Sequence, residues 1–158
     1  MAKLFTVGLL FLMIHAAFAE LVSSETAFET FKSLQGKWAI QFGGKTLPID
    51  MDYEVGSKGN IVTEHFRKEL SVIYRDRKSL VITHCCNAGN EPRLRLTESR
   101  RTGLLEFEMF DITNLKSGDA AHVEKVIYTI VDKKKIELEV VWQEGKSQES
   151  EKYTLSKI

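Results

Sequence analysis

The alternation of apolar and polar positions divides the chain at one point. Before it, Ala27, Phe28, Phe31 and Leu34 recur at helical spacing, with Ser23 and Ser24 placed to cap the start and Gly36 to end it. This predicts one helix of about ten residues. From Lys37 onward the period is two almost to the C-terminus. Trp38, Ile40 and Phe42 alternate with Ala39 and Gln41. Leu47, Ile49, Met51, Tyr53 and Val55 alternate with Pro48, Asp50, Asp52 and Glu54, the mark of a half-buried strand. Turn residues then recur at short intervals: Gly56-Ser57-Lys58-Gly59-Asn60, Asp76-Arg77-Lys78, Asn87-Ala88-Gly89-Asn90, Asp132-Lys133-Lys134 and Glu144-Gly145-Lys146. Between them lie predicted strands at 61–67, 69–75, 79–86, 93–99, 104–111, 121–131, 135–142 and 147–157. Short turns make neighbours antiparallel, and the longest connection runs from Asp111 to Ala120.

A short N-terminal helix followed by eight to ten sequential antiparallel strands, each with one apolar face, predicts an all-β, up-and-down β-barrel, since closure leaves no exposed edge. A β-sandwich is the alternative. A barrel of this size can enclose a cavity for one small ligand, with the helix across one mouth.

The N-terminus changes the picture of where this domain resides. Lys3, the apolar run Leu4 to Ile14 and the closing Ala17-Phe18-Ala19 have the layout of a secretory signal at residues 1–19, cleaved before Glu20. The run is too short to span a bilayer, and no cysteine follows the cleavage point to carry a lipid, so no membrane anchor is expected in the mature chain. Removing 19 of 158 residues leaves 139, enough for the single domain expected at 20–158, secreted or periplasmic. With Lys3 gone, 21 basic residues face 22 acidic ones, a formal charge of −1 that gives no footprint for nucleic acid. Lys133-Lys134-Lys135, next to Asp132, reads as a solvated hairpin turn.

Gly36-Lys37-Trp38, after a helix and opening the first strand, resembles the G-x-W start of lipocalins and related calycins. That resemblance implies a ligand-binding barrel whose tryptophan closes the base against a basic residue near the C-terminus, here Lys152 or Lys157. The lipocalin Thr-Asp-Tyr motif is replaced by Asp111-Ile112-Thr113-Asn114. The segment Thr83-His84-Cys85-Cys86-Asn87-Ala88-Gly89-Asn90-Glu91-Pro92-Arg93-Leu94 is similar to the T-H-Y-C-x-x-G-N-Q-P-R-M segment of small secreted bacterial proteins of uncharacterised function, with Cys85 and Glu91 as departures. Phe110 to Leu115 and His122 resemble later parts of that pattern.

His84 shares the parity of Leu80 and Ile82 and is expected to point into the barrel, with Cys86 on the same face. Residues two apart on a strand sit ~6–7 Å apart and parallel, so direct His84–Cys86 chemistry would need local distortion. Cys85 and Cys86 point to opposite faces of a regular strand and are expected as free thiols unless the chain has already turned. His65, His84 and His122 lack any H-x-x-x-H or H-E-x-x-H spacing and the cysteines any C-x-x-C, so neither a metal nor a cofactor is expected; His65 and His122 read as exposed. Arg93, Arg95, Arg100 and Arg101 read as a solvated outer face, with the sharper option that Arg93 bends to the barrel mouth and pairs with Asp111 or an anionic ligand head. Tyr53, Tyr74, Tyr128 and Trp142 line a cavity or fill it.

The expected function is binding of a small hydrophobic or amphipathic ligand by Trp38, Met51, Tyr53, Ile82, His84, Arg93 and Trp142. Two other readings stay open: an enzyme built on His84, with Arg93 and Asp111, and a filled barrel that serves as an interaction module.

Overall fold

A computed structural model describes residues 21–97 and 103–158. The signal segment at 1–19, and with it Arg100 and Arg101, lie outside the described residues. Helix α1 spans Ser24–Ser33. Ten strands follow: β1 Gly36–Phe42, β2 Lys45–Gly56, β3 Ile61–Phe66, β4 Glu69–Asp76, β5 Ser79–Cys85, β6 Glu91–Leu96, β7 Leu104–Thr113, β8 His122–Asp132, β9 Lys135–Glu144 and β10 Ser147–Lys157. Each pairs antiparallel with the next, and β1 pairs with β10 to close an up-and-down barrel. Closure satisfies the edge N–H and C=O groups that an open sheet would expose.

The helix begins where the cap residue predicts. Ser23 has an extended backbone and its side chain accepts from the Thr26 N–H at 3.0 Å, while Ala27, Phe28 and Phe31 turn their apolar stripe onto one end of the barrel. Phe31 meets Tyr128 edge-on at 5.0 Å and Phe107 at 5.9 Å, which closes that end. Gly36, at φ +114°, makes the reversal from helix to β1 in a conformation that a side chain would strain. Directly beyond it, the Trp38 indole N–H donates to the Leu34 carbonyl at 2.8 Å, so the largest side chain of β1 is tied to the end of the helix. Lys157 lies over the Trp38 ring at 5.4 Å from its centroid, and the Ile158 N–H donates to the Lys37 carbonyl at 3.0 Å. Lys152, the other basic candidate, is exposed and pairs with Glu139.

β6 departs from expectation at its start. It begins at Glu91 rather than 93, because Pro92, which has no N–H to give, sits beyond the last β5 pair, Thr83 with Arg93, and faces Ile112 of β7. The Lys133-Lys134 turn is a solvated hairpin held by Asp132, whose carboxylate accepts the Lys134 N–H at 2.6 Å.

Candidate functional site

The inward side chains do not fill the barrel evenly. Near the helix, Trp38, Tyr53, Ile73, Leu80 and Phe107 are fully buried. Toward the opposite end the wall carries Met51, Ile82, Val123, Val126, Leu138, Val140 and Trp142 around a cavity of about 440 Å³. The cavity reaches the far rim, where Arg67, Asn87, Ala121, Glu144 and Ser147 flank the hairpin turns and the β7–β8 connection. Its size lies within the ~300–1,000 Å³ common for small-molecule sites.

The cavity has a polar floor built on Glu64. On β3 the inward positions are Val62, Glu64 and Phe66, so strand parity carries a carboxyl group into the core, 7 % exposed. It accepts the Tyr128 hydroxyl at 2.8 Å and the Ser71 hydroxyl at 3.3 Å. The Tyr53 hydroxyl is buried nearby, within reach of the Glu64 charge but with no hydrogen bond of good geometry among the described residues. Burial first, and the Glu64 charge second, raise the pKa of both Tyr53 and Tyr128 well above the ordinary tyrosine value. The Ser71 oxygen also lies 3.0 Å from His84 Nδ1; with the serine proton given to Glu64, the complementary tautomer donates from Nδ1–H and carries its lone pair on Nε2. Nε2 is buried with no hydrogen-bond partner among the described residues. Burial lowers the His84 pKa against the opposing pull of Glu69 and Glu64.

This chain is not ordered as a hydrolase triad. In a triad the carboxylate orients the histidine and the histidine activates the hydroxyl, whereas Glu64 contacts the serine and no group among the described residues bonds His84 Nε2.

At the rim, β5 ends at Cys85 and the chain turns back on itself. The Gly89 N–H donates to the Cys86 carbonyl at 2.9 Å, and the Cys86 N–H to the Asn90 carbonyl at 3.1 Å, with Gly89 at φ +83°. Asn90, 2 % exposed, anchors the loop through its amide to the Ala121 carbonyl at 2.8 Å. The turn corrects the expectation for Cys86. It is not a parallel strand neighbour of His84, and one donor atom from each of Glu69, His84 and Cys86 lies within 4.8 Å of the others. Both cysteines are free, Cys85 exposed and Cys86 half-buried.

Of the residues predicted to bind a ligand, Met51, Ile82, His84 and Trp142 line the cavity. Trp38 and Tyr53 do not: they lie at the base, packed edge-on at 6.3 Å under the helix. Arg93 is on the outer face, paired with Asp111 at 3.0 Å and set over the Phe110 ring, so it offers nothing to the interior. A register shift between Arg93 and Leu94 accompanies this placement. Tyr74 also faces outward and meets Thr83. His122, expected at the surface, is 6 % exposed and bonds the Ala120 carbonyl at 2.8 Å, while His65 is exposed as expected.

The sequence pattern did not single out Glu64, Ser71, Arg67 or the rim acids Glu69, Glu144, Glu149 and Glu151, nor the aliphatic wall of Val123, Val126, Leu138 and Val140. Glu64 and Ser71 were recoverable from parity with Val62 and Ile73. Neither a protein-family model nor a curated protein matches the chain.

Proposed function

We propose that the barrel binds a small amphipathic molecule, with an apolar body and a neutral or cationic polar end. The observation that carries this reading is the cavity itself: an apolar wall of aliphatic side chains and Trp142, with five acidic side chains (Glu64, Glu69, Glu144, Glu149 and Glu151) against one basic side chain, Arg67. A cleft lined by one sign of charge concentrates the opposite sign, and its low-dielectric walls strengthen the effect. An anionic head such as a fatty-acid carboxylate would meet repulsion at the rim and no free cation on the floor. Arg93, which would meet such a head only by bending to the barrel mouth, is engaged outside the barrel with Asp111. The G-x-W start and the position of Lys157 over Trp38 support a lipocalin-like relationship for this binding mode.

The protein has two tryptophans, and Trp142 is the one on the cavity wall. Titration with 1-naphthylmethylamine, charged at neutral pH, should therefore change Trp142 emission saturably, and 1-naphthoate should bind roughly tenfold more weakly, about 1.4 kcal/mol. Equal or tighter binding of the carboxylate would overturn the assigned polarity.

The same reading includes export. Lys3, the apolar run and Ala17-Phe18-Ala19 support delivery across a membrane. N-terminal sequencing of exported protein should begin at Glu20, and exported chains retaining Met1 would refute cleavage.

A further inference from the structure

We propose that Glu69, His84 and Cys86 form a binding site for a zinc ion on the cavity wall. The inference goes beyond small-molecule binding and does not depend on it. One donor atom from each residue lies within 4.8 Å of the other two, and Cys86 Sγ is 4.0 Å from Glu69 Oε1. Around a tetrahedral zinc with bonds of ~2.0–2.3 Å, such donors stand roughly 3.3–3.6 Å apart. Closing the trio onto an ion therefore takes movements of about an ångström.

Three features make this more than proximity. His84 Nδ1 lies 3.0 Å from the Ser71 hydroxyl, which itself reaches Glu64 at 3.3 Å, so in the tautomer that donates from Nδ1 the lone pair falls on Nε2, a buried nitrogen with no hydrogen-bond partner among the described residues. A second hydrogen bond that fixes the tautomer is how metal-ligating histidines are oriented. The other two ligands are held by backbone donors: the Asn87 N–H reaches Glu69 at 3.2 Å and the Ala88 N–H reaches Cys86 Sγ at 3.3 Å. These bonds set the turn and leave the thiol and carboxylate facing each other.

The charge balances for a divalent ion. Burial holds the Cys86 thiol protonated more strongly than a free cysteine, and metal binding would release that proton to solvent, so the Glu69 carboxylate and the Cys86 thiolate would together match a doubly charged cation. A mixed nitrogen, sulfur and oxygen set disfavours calcium and magnesium, which take oxygen ligands, and suits zinc. Glu69 and His84 both line the cavity, so the ion would sit at its wall with a fourth position for water or another donor.

The test uses reduced, chelator-treated full-length protein titrated with cobalt(II), a spectroscopic substitute, and then competed with zinc. The expected result is one equivalent bound, with a near-ultraviolet thiolate-to-cobalt band that zinc abolishes. Cys86→Ser should remove the band, while Glu69→Gln and His84→Ala should weaken zinc binding by at least roughly tenfold. Cys85→Ser, at an exposed thiol, should leave all of this unchanged. Metal-free melting curves identify any variant that has unfolded, and Glu69→Gln, which preserves shape, decides the matter if His84→Ala does not fold. Absence of the thiolate band in the parent protein, its persistence in Cys86→Ser, its loss in folded Cys85→Ser, or parent-like zinc affinity in Glu69→Gln would each overturn the site.

Discussion

At the scale of single residues, the interior is governed by one buried acid and the hydroxyls around it. Glu64 accepts from Tyr128 and Ser71, and Tyr53 lies close enough to feel its charge. Both phenols are harder to ionise in the folded protein than in the unfolded chain, burial being the larger cause. Such a group stabilises the fold fully below the ordinary tyrosine pKa of ~10 and progressively less above it, since the unfolded chain there releases protons that the native state retains. Stability measured by urea unfolding should therefore fall above about pH 10, and the phenolate absorbance of Tyr53 and Tyr128 should appear only as the protein unfolds. Tyr128→Phe should shallow that decline and, by removing a donor from a buried acceptor, cost about 1–3 kcal/mol at neutral pH. Free ionisation of all four tyrosines in the native protein would contradict this arrangement.

At the scale of elements, α1 is a plug whose value lies in three apolar side chains. Phe31 is fully buried against Phe107 and Tyr128, so Phe31→Ala should destabilise the protein by about 3–5 kcal/mol, read from the shift of the urea midpoint. A loss under 1 kcal/mol would show that the helix is peripheral to the barrel. This element, its Ser23 cap and the strands after it were legible because their periods differ and turn residues separate them. The site was legible in part, for a physical reason. Period two reports which face a side chain takes but not its depth, so Trp38 and Tyr53 looked like cavity wall although they pack edge-on at the base. It also fails where a strand ends: Cys86 belongs to a turn that folds it back toward His84 and Glu69. An isolated inward acid such as Glu64 is easily taken for a surface residue, because its partners Ser71 and Tyr128 are supplied by distant strands.

At the scale of the whole molecule, closure of ten strands and the asymmetric filling of their interior produce a vessel blocked at the helix and open at the other rim. The proposed ligand occupies this space. Val140 lies on the cavity wall, half-buried, where extra volume meets empty space rather than packed side chains. Val140→Trp would occupy much of the cavity without disturbing the base. The direct measurement is calorimetric titration of 1-naphthylmethylamine into the parent protein and this variant, with melting curves recorded for both. Saturable one-to-one binding by the parent is expected, with its loss in a variant that melts at the same temperature or higher. No saturable binding by the parent, or undiminished binding by a folded Val140→Trp variant, would contradict it.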